Sequence, residues 1–247
     1  MKIIISPAKK LNSNRIIIKD CTSIKFKDEV IYLINELRKY SVSGIKELMG
    51  LSDNLAKLNF ERFKNWDLTS HDVCQAIYIF QGDVYKGLEA SNFSEDQLSY
   101  AQKNLRIISG LYGLLKPLDT IYPYRLEMGT NLPNKEGKNL YNFWGNKIGA
   151  SLLSEMDTNE VIVNLASNEY SKALNLDNSK KLVINPVFKD YKNGKLKVIS
   201  FFAKRARGEM ANFIITNKIT DFNELRSFSS SGYSFSGDED GTMLFVR

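Results

Sequence analysis

Three cations fall within four residues at Lys204, Arg205 and Arg207, after the apolar run Leu196 to Phe202 and before a helical pattern, Glu209 to Asn217. A strand handing over to a helix there would bring the cations to free backbone N–H groups and the positive end of a helix dipole, which together favour an anion. Guanidinium groups add forked contacts to phosphate. The competing reading is a basic face turned to water. Polar turns also follow apolar runs at Ser6-Pro7-Ala8-Lys9, Gln81-Gly82-Asp83-Val84-Tyr85, Ser109-Gly110-Leu111-Tyr112-Gly113 and Ala166-Ser167-Asn168-Glu169. Ligands of α/β sheets sit beyond the carboxyl ends of strands. At least three of the five turns are therefore expected to converge on one basic cleft that also holds Ser, Asn and acidic groups.

Two further segments carry binding chemistry. In Tyr122-Pro123-Tyr124-Arg125-Leu126-Glu127-Met128-Gly129, Tyr124 could stack on a base, as could Tyr112, and Arg125 could clamp a phosphate. Alternatively Arg125 pairs with Glu127 or Asp119 and the segment is structural. Residues 48–56 resemble the helix-hairpin-helix motif of DNA-binding proteins, whose Gly-hydrophobic-Gly turn offers backbone N–H groups to a phosphate. Gly50, Leu51 and Ala56 match; Ser52 replaces the second glycine, and Asp53 adds a negative charge beside the proposed phosphate. An ordinary helical hairpin is the alternative. The aromatic run Leu140 to Gly145 reads as core.

Composition narrows the chemistry. The 247 residues carry 34 Lys+Arg against 28 Asp+Glu, a formal charge of +6 that suits a polyanionic partner. Two cysteines, Cys21 and Cys74, and one histidine, His71, leave too few ligands for a Cys/His zinc site. A Ser-His-Asp triad would have to use His71. The pair His71 and Cys74 could share a helical face, but Val73, Ile77 and Ile79 beside it suggest a buried, inert thiol. No metal or cofactor is called for. The short run Ile3 to Ile5 lacks the length of a signal segment, and no apolar stretch is long enough to span a membrane. A cytoplasmic protein is expected, with a monomer as the default.

Elements to position these residues are legible in outline. Ile3–Ile5, Ala76–Phe80, Leu105–Ile108, Val161–Leu165, Leu182–Phe188, Leu196–Phe202 and Met243–Val246 read as strands. Phe26–Tyr40, Ile45–Met49, Asp53–Phe63, a helix opening at Ser94 with Gln97 as a capping box, and Tyr141–Met156 read as helices, with Ser52 as a natural N-cap. Asn193-Gly194 marks a hairpin, and Pro186 pushes its first strand toward a sheet edge or bulge. Leu111 to Glu136 reads as irregular, and Asp238 to Gly241 as an acidic loop. The hairpin rules out a purely parallel sheet. The fold class is α/β with a mixed sheet and some α+β character, in one domain spanning residues 1–247.

Taken in order, Ser6-Pro7-Ala8-Lys9, Gly82-Asp83-Val84-Tyr85, Gly110-Leu111-Tyr112-Gly113 with Lys116-Pro117-Leu118-Asp119, Pro123 to Gly129, Phe143-Trp144-Gly145, Asn164-Leu165-Ala166-Ser167 and Lys204 to Gly208 resemble the YaaA family of bacterial peroxide-stress proteins. The resemblance runs from the first strand to the last. It implies a cytoplasmic protein that limits iron- and peroxide-driven DNA damage, with a helix-hairpin-helix element, a positively charged cleft and DNA binding. On that reading Lys9, Lys116, Arg125, Lys204, Arg205 and Arg207 meet phosphates of duplex or locally opened DNA. Gly50, Leu51 and Ser52 offer backbone donors, and Tyr124 stacks. The second reading is an enzyme acting on nucleic acid or a nucleotide, with Asp83, Glu127 and Glu169 near Ser6 and Lys9 as acid/base groups. A third, iron handling by carboxylates alone, has little support.

Overall fold

A computed structural model describes residues 1–12, 20–67, 73–176, 179–239 and 242–247. Among these, a nine-stranded mixed sheet is built from β1 (Lys2–Ile5), β2 (Leu105–Ser109), β3 (Gly113–Leu115), β4 (Ile162–Asn164), β5 (Val183–Lys192), β6 (Lys195–Lys197), β7 (Ser229–Ser230), β8 (Tyr233–Glu239) and β9 (Thr242–Val246). The order is β7-β8-β9-β5-β4-β1-β2-β3, and β6 pairs with β5. Strands β1, β2, β4, β5 and β9 run parallel. The remaining pairs are antiparallel. Strands β1 and β2 are buried throughout, which is why they read as nearly continuous apolar runs rather than alternating ones.

The helices are α1 (Lys27–Leu37), α2 (Val42–Met49), α3 (Asp53–Asn65), α4 (Ala76–Ile79), α5 (Asp83–Leu88), α6 (Glu95–Asn104), α7 (Leu140–Trp144), α8 (Lys147–Leu153), α9 (Asn168–Ser171) and α10 (Ser200–Thr216). Helix α1 buries Val30, Leu33, Ile34 and Leu37, the face its periodicity sets out. Ser94 and Gln97 form the expected capping box at α6. Asn193 and Gly194 both have positive φ, 54° and 71°, and turn β5 into β6 as the sequence requires.

Several boundaries differ from expectation. Ala76–Ile79 is one helical turn and not a strand; the N–H groups of Ala76 and Ile77 donate to the carbonyls of Asp119 and Pro117. A short apolar run cannot distinguish these states by its own pattern. Tyr141–Met156 breaks in two at Gly145, whose φ is 45°, and α8 then packs Gly149 against the backbone of Leu174. Pro186 is not at a sheet edge, since β5 lies between β4 and β9; its pairing with β4 covers only Val183 and Ile184 and ends before the proline. Within Leu111–Glu136, Gly113–Leu115 and Thr120–Ile121 form strands. Strand β8 takes Asp238 from the expected acidic loop, while Asp240, Gly241 and His71 lie outside the described residues.

The largest difference concerns the basic run. Of the expected strand Leu196–Phe202 only Leu196 and Lys197 belong to a strand, Lys195–Lys197, and α10 begins at Ser200. Ala203, Ala206, Met210 and Ile214 are its buried stripe. Lys204, Arg205 and Arg207 therefore lie within the helix, past its first turn. The expected gain from free N–H groups and the helix dipole does not apply to them.

Candidate functional site

Parallel register fixes which residues share a sheet edge. Ile3 lies opposite Leu105 on one side and Val163 on the other, and Val163 lies opposite Ile184. The carboxyl ends of β1, β2 and β4 therefore put Ser6, Ser109 and the turn after Asn164 on one edge. Lys2, the first residue of β1, lies at the opposite edge, while Arg106 is level with Ile4 and Asn164.

Beyond the carboxyl edge, four of the five polar turns meet around one cavity of about 490 Å³. The first turn supplies Ser6 to Lys10, the second Gln81 to Tyr85, the fourth Ser167 and Glu169, and α10 supplies Lys204 and Arg207. The turn after β2 does not line it. Ser6 Oγ accepts from the Ser167 N–H at 2.9 Å and lies 3.3 Å from Ser167 Oγ. The Tyr85 hydroxyl donates to the Ser6 carbonyl at 3.1 Å. These bonds tie three chain segments into a single wall. Tyr170 adds a nearly buried ring. Burial pushes the phenols of Tyr85 and Tyr170 well up, so both hold their protons and serve as donors.

Two glycines bring α10 into place. A Cβ on Gly208 would come within 1.9 Å of the Val84 carbonyl oxygen, and one on Gly87 within 2.3 Å of the Arg205 carbonyl oxygen. Helices α5 and α10 thus cross backbone to backbone, which only glycine permits. The crossing carries Asp83 and Val84 on one helix and Lys204 and Arg207 on the other to the same cavity.

The cations there differ in state. Arg207 is largely withdrawn from water, and burial lowers its pKa from the ordinary arginine value; no carboxylate among the described residues offsets this. Lys204 is exposed at the rim. Arg205 does not line the cavity, and its Nε donates to Glu209 at 2.9 Å.

Lys9 also borders a shallow adjoining depression with Arg125 and Glu127. Glu127 Oε1 is 3.0 Å from Lys9 Nζ and 2.9 Å from an Arg125 terminal nitrogen. One carboxylate thus engages two expected phosphate ligands, and Arg125 takes the ion-pair alternative. Glu169 lines the main cavity and accepts from the Gly129 N–H at 3.0 Å.

Other expected site residues lie elsewhere. Tyr124 is 3% exposed; its hydroxyl is 2.6 Å from Ser109 Oγ, and its ring packs edge-on against Tyr112 and Phe80. Tyr112 is 1% exposed and bonded to Trp66. Neither presents a face for a base. Lys116 lines a second cavity of about 830 Å³ with Lys2, Arg106 and Glu155, on the side of the opposite sheet edge. Gly50, Leu51 and Ser52 join α2 to α3 and line no part of either cavity. Gly50 has φ 59°, and the N–H groups of Gly50 and Leu51 donate to the carbonyls of Glu47 and Lys46. The turn closes α2 with donors it would otherwise offer a phosphate. Asp53 pairs with Lys46 at 2.7 Å, and Ser52 caps α3 without a side-chain bond.

Cys74 is buried at 4% exposure. No group of three or more His, Cys, Asp or Glu residues among the described residues could hold a metal ion, and no described helix is long and apolar enough to cross a membrane. Sequence reasoning placed the Ser167 turn in the cleft without giving Ser167 a role, and did not place Tyr170 there. The only signal was their position in a turn after an apolar run.

A family model described as peroxide stress protein YaaA matches residues 1–239. The chain is similar to a UPF0246 protein of Aliivibrio fischeri (strain MJ11), 48% identical over 254 residues, covering 100% of this chain and 98% of that protein. It is 49% identical to one of Shewanella woodyi over 242 residues, with 95% and 94% covered. A third, of Burkholderia cenocepacia (strain HI2424), is 45% identical over 256 residues, with 100% and 98% covered. With the family model matched over residues 1–239 and relatives 45–49% identical across 95–100% of its length, the chain belongs to the YaaA family of peroxide stress proteins.

Proposed function

We propose that the protein acts in the peroxide response by binding DNA, duplex or locally opened, with a backbone phosphate seated between Lys204 and Arg207. Arg207 carries this reading. Its guanidinium is largely desolvated, lines the cavity and has no carboxylate partner among the described residues. A partly buried cation without a counter-charge is costly, and a phosphate held in a forked contact removes that cost. The Ser6 and Ser167 hydroxyls supply further polar contacts, and the net charge of +6 favours approach to a polyanion. A volume of 490 Å³ suits one nucleotide unit rather than a duplex. A duplex would cross the mouth, while an opened strand could lower one nucleotide inside.

Fluorescence anisotropy with labelled duplex and bubble DNA, from low to moderate salt, tests the reading. Arg207→Gln should weaken binding to all sequences alike and reduce the salt slope by about 0.9. A flat salt profile for the native protein would reject phosphate-driven binding.

One observation favours the enzymatic alternative. Asp83 and Glu169 line the same cavity as Ser6 and Ser167, which is more acid/base chemistry than phosphate binding requires. Incubation with duplex, mismatched and bubble DNA should then yield cleavage or base release that Asp83→Asn or Glu169→Gln reduces on the order of 10²–10⁴-fold. Absence of any product supports the binder.

A further inference from the structure

The hairpin β5–β6 extends past the carboxyl edge of the sheet, on the cavity side. Ile184 is level with Ile3, and Lys189 is opposite Val246 at the end of β9. Residues Tyr191 to Lys197 therefore overhang that edge, and the chain returns from them directly into α10 and the cavity rim. This arm is unusually exposed for its composition. Tyr191 is 67% exposed, Val198 54% and Phe201 53%, with Leu196 and Phe202 at 36%.

Register sorts the arm into two faces. Tyr191 lies opposite Leu196, giving one apolar face. On the other, Lys192 lies opposite Lys195, and Lys197 lies opposite Asp190. Asp190 is already engaged by Arg247 at 2.6 Å and by the Tyr233 hydroxyl at 2.7 Å. No carboxylate among the described residues forms an ion pair with Lys192, Lys195 or Lys197. Like charges directly opposed across a strand pair repel, and a polyanion would relieve that repulsion. Phe201 and Lys204 are three residues apart on α10, as are Lys204 and Arg207. An exposed ring, a rim cation and the desolvated guanidinium thus follow one helical stripe into the cavity.

We infer that this arm is a docking track for single-stranded nucleic acid, which makes opened DNA the preferred partner over duplex. Bases stack on Tyr191 and Phe201, while Lys192, Lys195 and Lys197 follow the phosphates toward Lys204. Exposed rings and unpaired lysines on the two faces of one narrow arm let a single strand straddle it, held by stacking and charge without its sequence being read. The inference deepens the DNA-binding reading above and rests on it.

The test compares labelled oligo-dT, a bubble duplex and a fully paired duplex against the native protein, Tyr191→Ala/Phe201→Ala, Lys192→Gln/Lys195→Gln/Lys197→Gln, and Arg207→Gln. All the arm residues are exposed or at the hairpin, so thermal melts should stay unchanged. The aromatic variant should lose on the order of tenfold or more in affinity for oligo-dT and bubble DNA, with duplex affinity held within about twofold. The lysine variant should lower the single-strand salt slope by about 2, from about 0.7 per contact. If Arg207→Gln weakens binding while both arm variants bind oligo-dT like the native protein, the track is overturned and the cavity reading stands. If the native protein binds none of the three DNAs, both fall together. If sedimentation shows a native dimer that the aromatic variant dissociates, with oligo-dT affinity unaltered, the apolar face belongs to a second copy and the inference is rejected.

Discussion

At the residue scale, electrostatic pairing decides which charges are available. Lys9 and Arg125 share Glu127, whereas Arg207 has no carboxylate counterpart among the described residues. Glu127→Gln should release Lys9 and Arg125 for phosphate, raising DNA affinity several-fold and steepening the salt slope by as much as about 0.9 per freed cation. Anisotropy titrations at several salt concentrations measure both, and a drop in affinity would show that Glu127 holds the site open. Arg106 presents the opposite case. It is 2% exposed, and its Nε donates to Glu155 at 2.8 Å while another guanidinium nitrogen donates to the carbonyls of Gln102 and Leu105. Each donor group has a partner, so Arg106 is structural despite lining the larger cavity.

At the element scale, the α5–α10 crossing assembles the cavity. Gly208→Ala would place a methyl group 1.9 Å from the Val84 carbonyl oxygen, which is backbone and cannot swing aside. The helices must separate. The expected cost is about 3 kcal/mol, read as a lower urea midpoint. DNA affinity should fall with it, because Lys204 and Arg207 move away from Ser6 and Asp83. Gly194→Ala makes a useful contrast: its φ is 71° but nothing lies within 4 Å of the added methyl. It should cost about 1–2 kcal/mol, confined to the hairpin turn, and hydrogen exchange should show the arm fraying while the parallel strands remain protected.

At the scale of the whole molecule, pH reports on the end of the sheet opposite the site. Burial pushes the Glu155 carboxyl up, but the Arg106 guanidinium, with smaller help from Lys116 and Lys25, outweighs it and holds the pKa below the ordinary 4.5. A depressed carboxyl pKa stabilises the fold above the unfolded value, and that stability is lost as pH falls through the folded value. The native protein should therefore lose stability from about pH 4.5 downward. Glu155→Gln should be weaker by about 3 kcal/mol at neutral pH, since it strands a buried guanidinium, and flatter in acid. Urea midpoints at pH 7, 5 and 4 measure the difference; parallel curves for the two proteins would remove Glu155 from acid sensitivity.

The sequence alone determined the local elements with strong periodic or turn chemistry. The buried stripe of α1, the Ser94–Gln97 capping box, the Asn193-Gly194 turn and the apolar core strands each follow from forces between near neighbours in the chain. It also marked the turns after β1 and β4 that meet at the cavity, because the ends of parallel strands share one edge; the Gln81–Tyr85 turn and α10 join them without following a parallel strand of that sheet. Which of them meet was decided by tertiary contacts. Lys204 and Arg207 reach the cavity only through the glycine crossing of α5 and α10, and Lys116 goes to the other cavity because β3 runs antiparallel to β2. Tyr124 and Tyr112 were consumed by the core, where burying two rings outweighs leaving them to a ligand. Glu127 is likewise two residues from Arg125 in the chain, but its bond to Lys9 spans 118 residues and exists only when the sheet has formed.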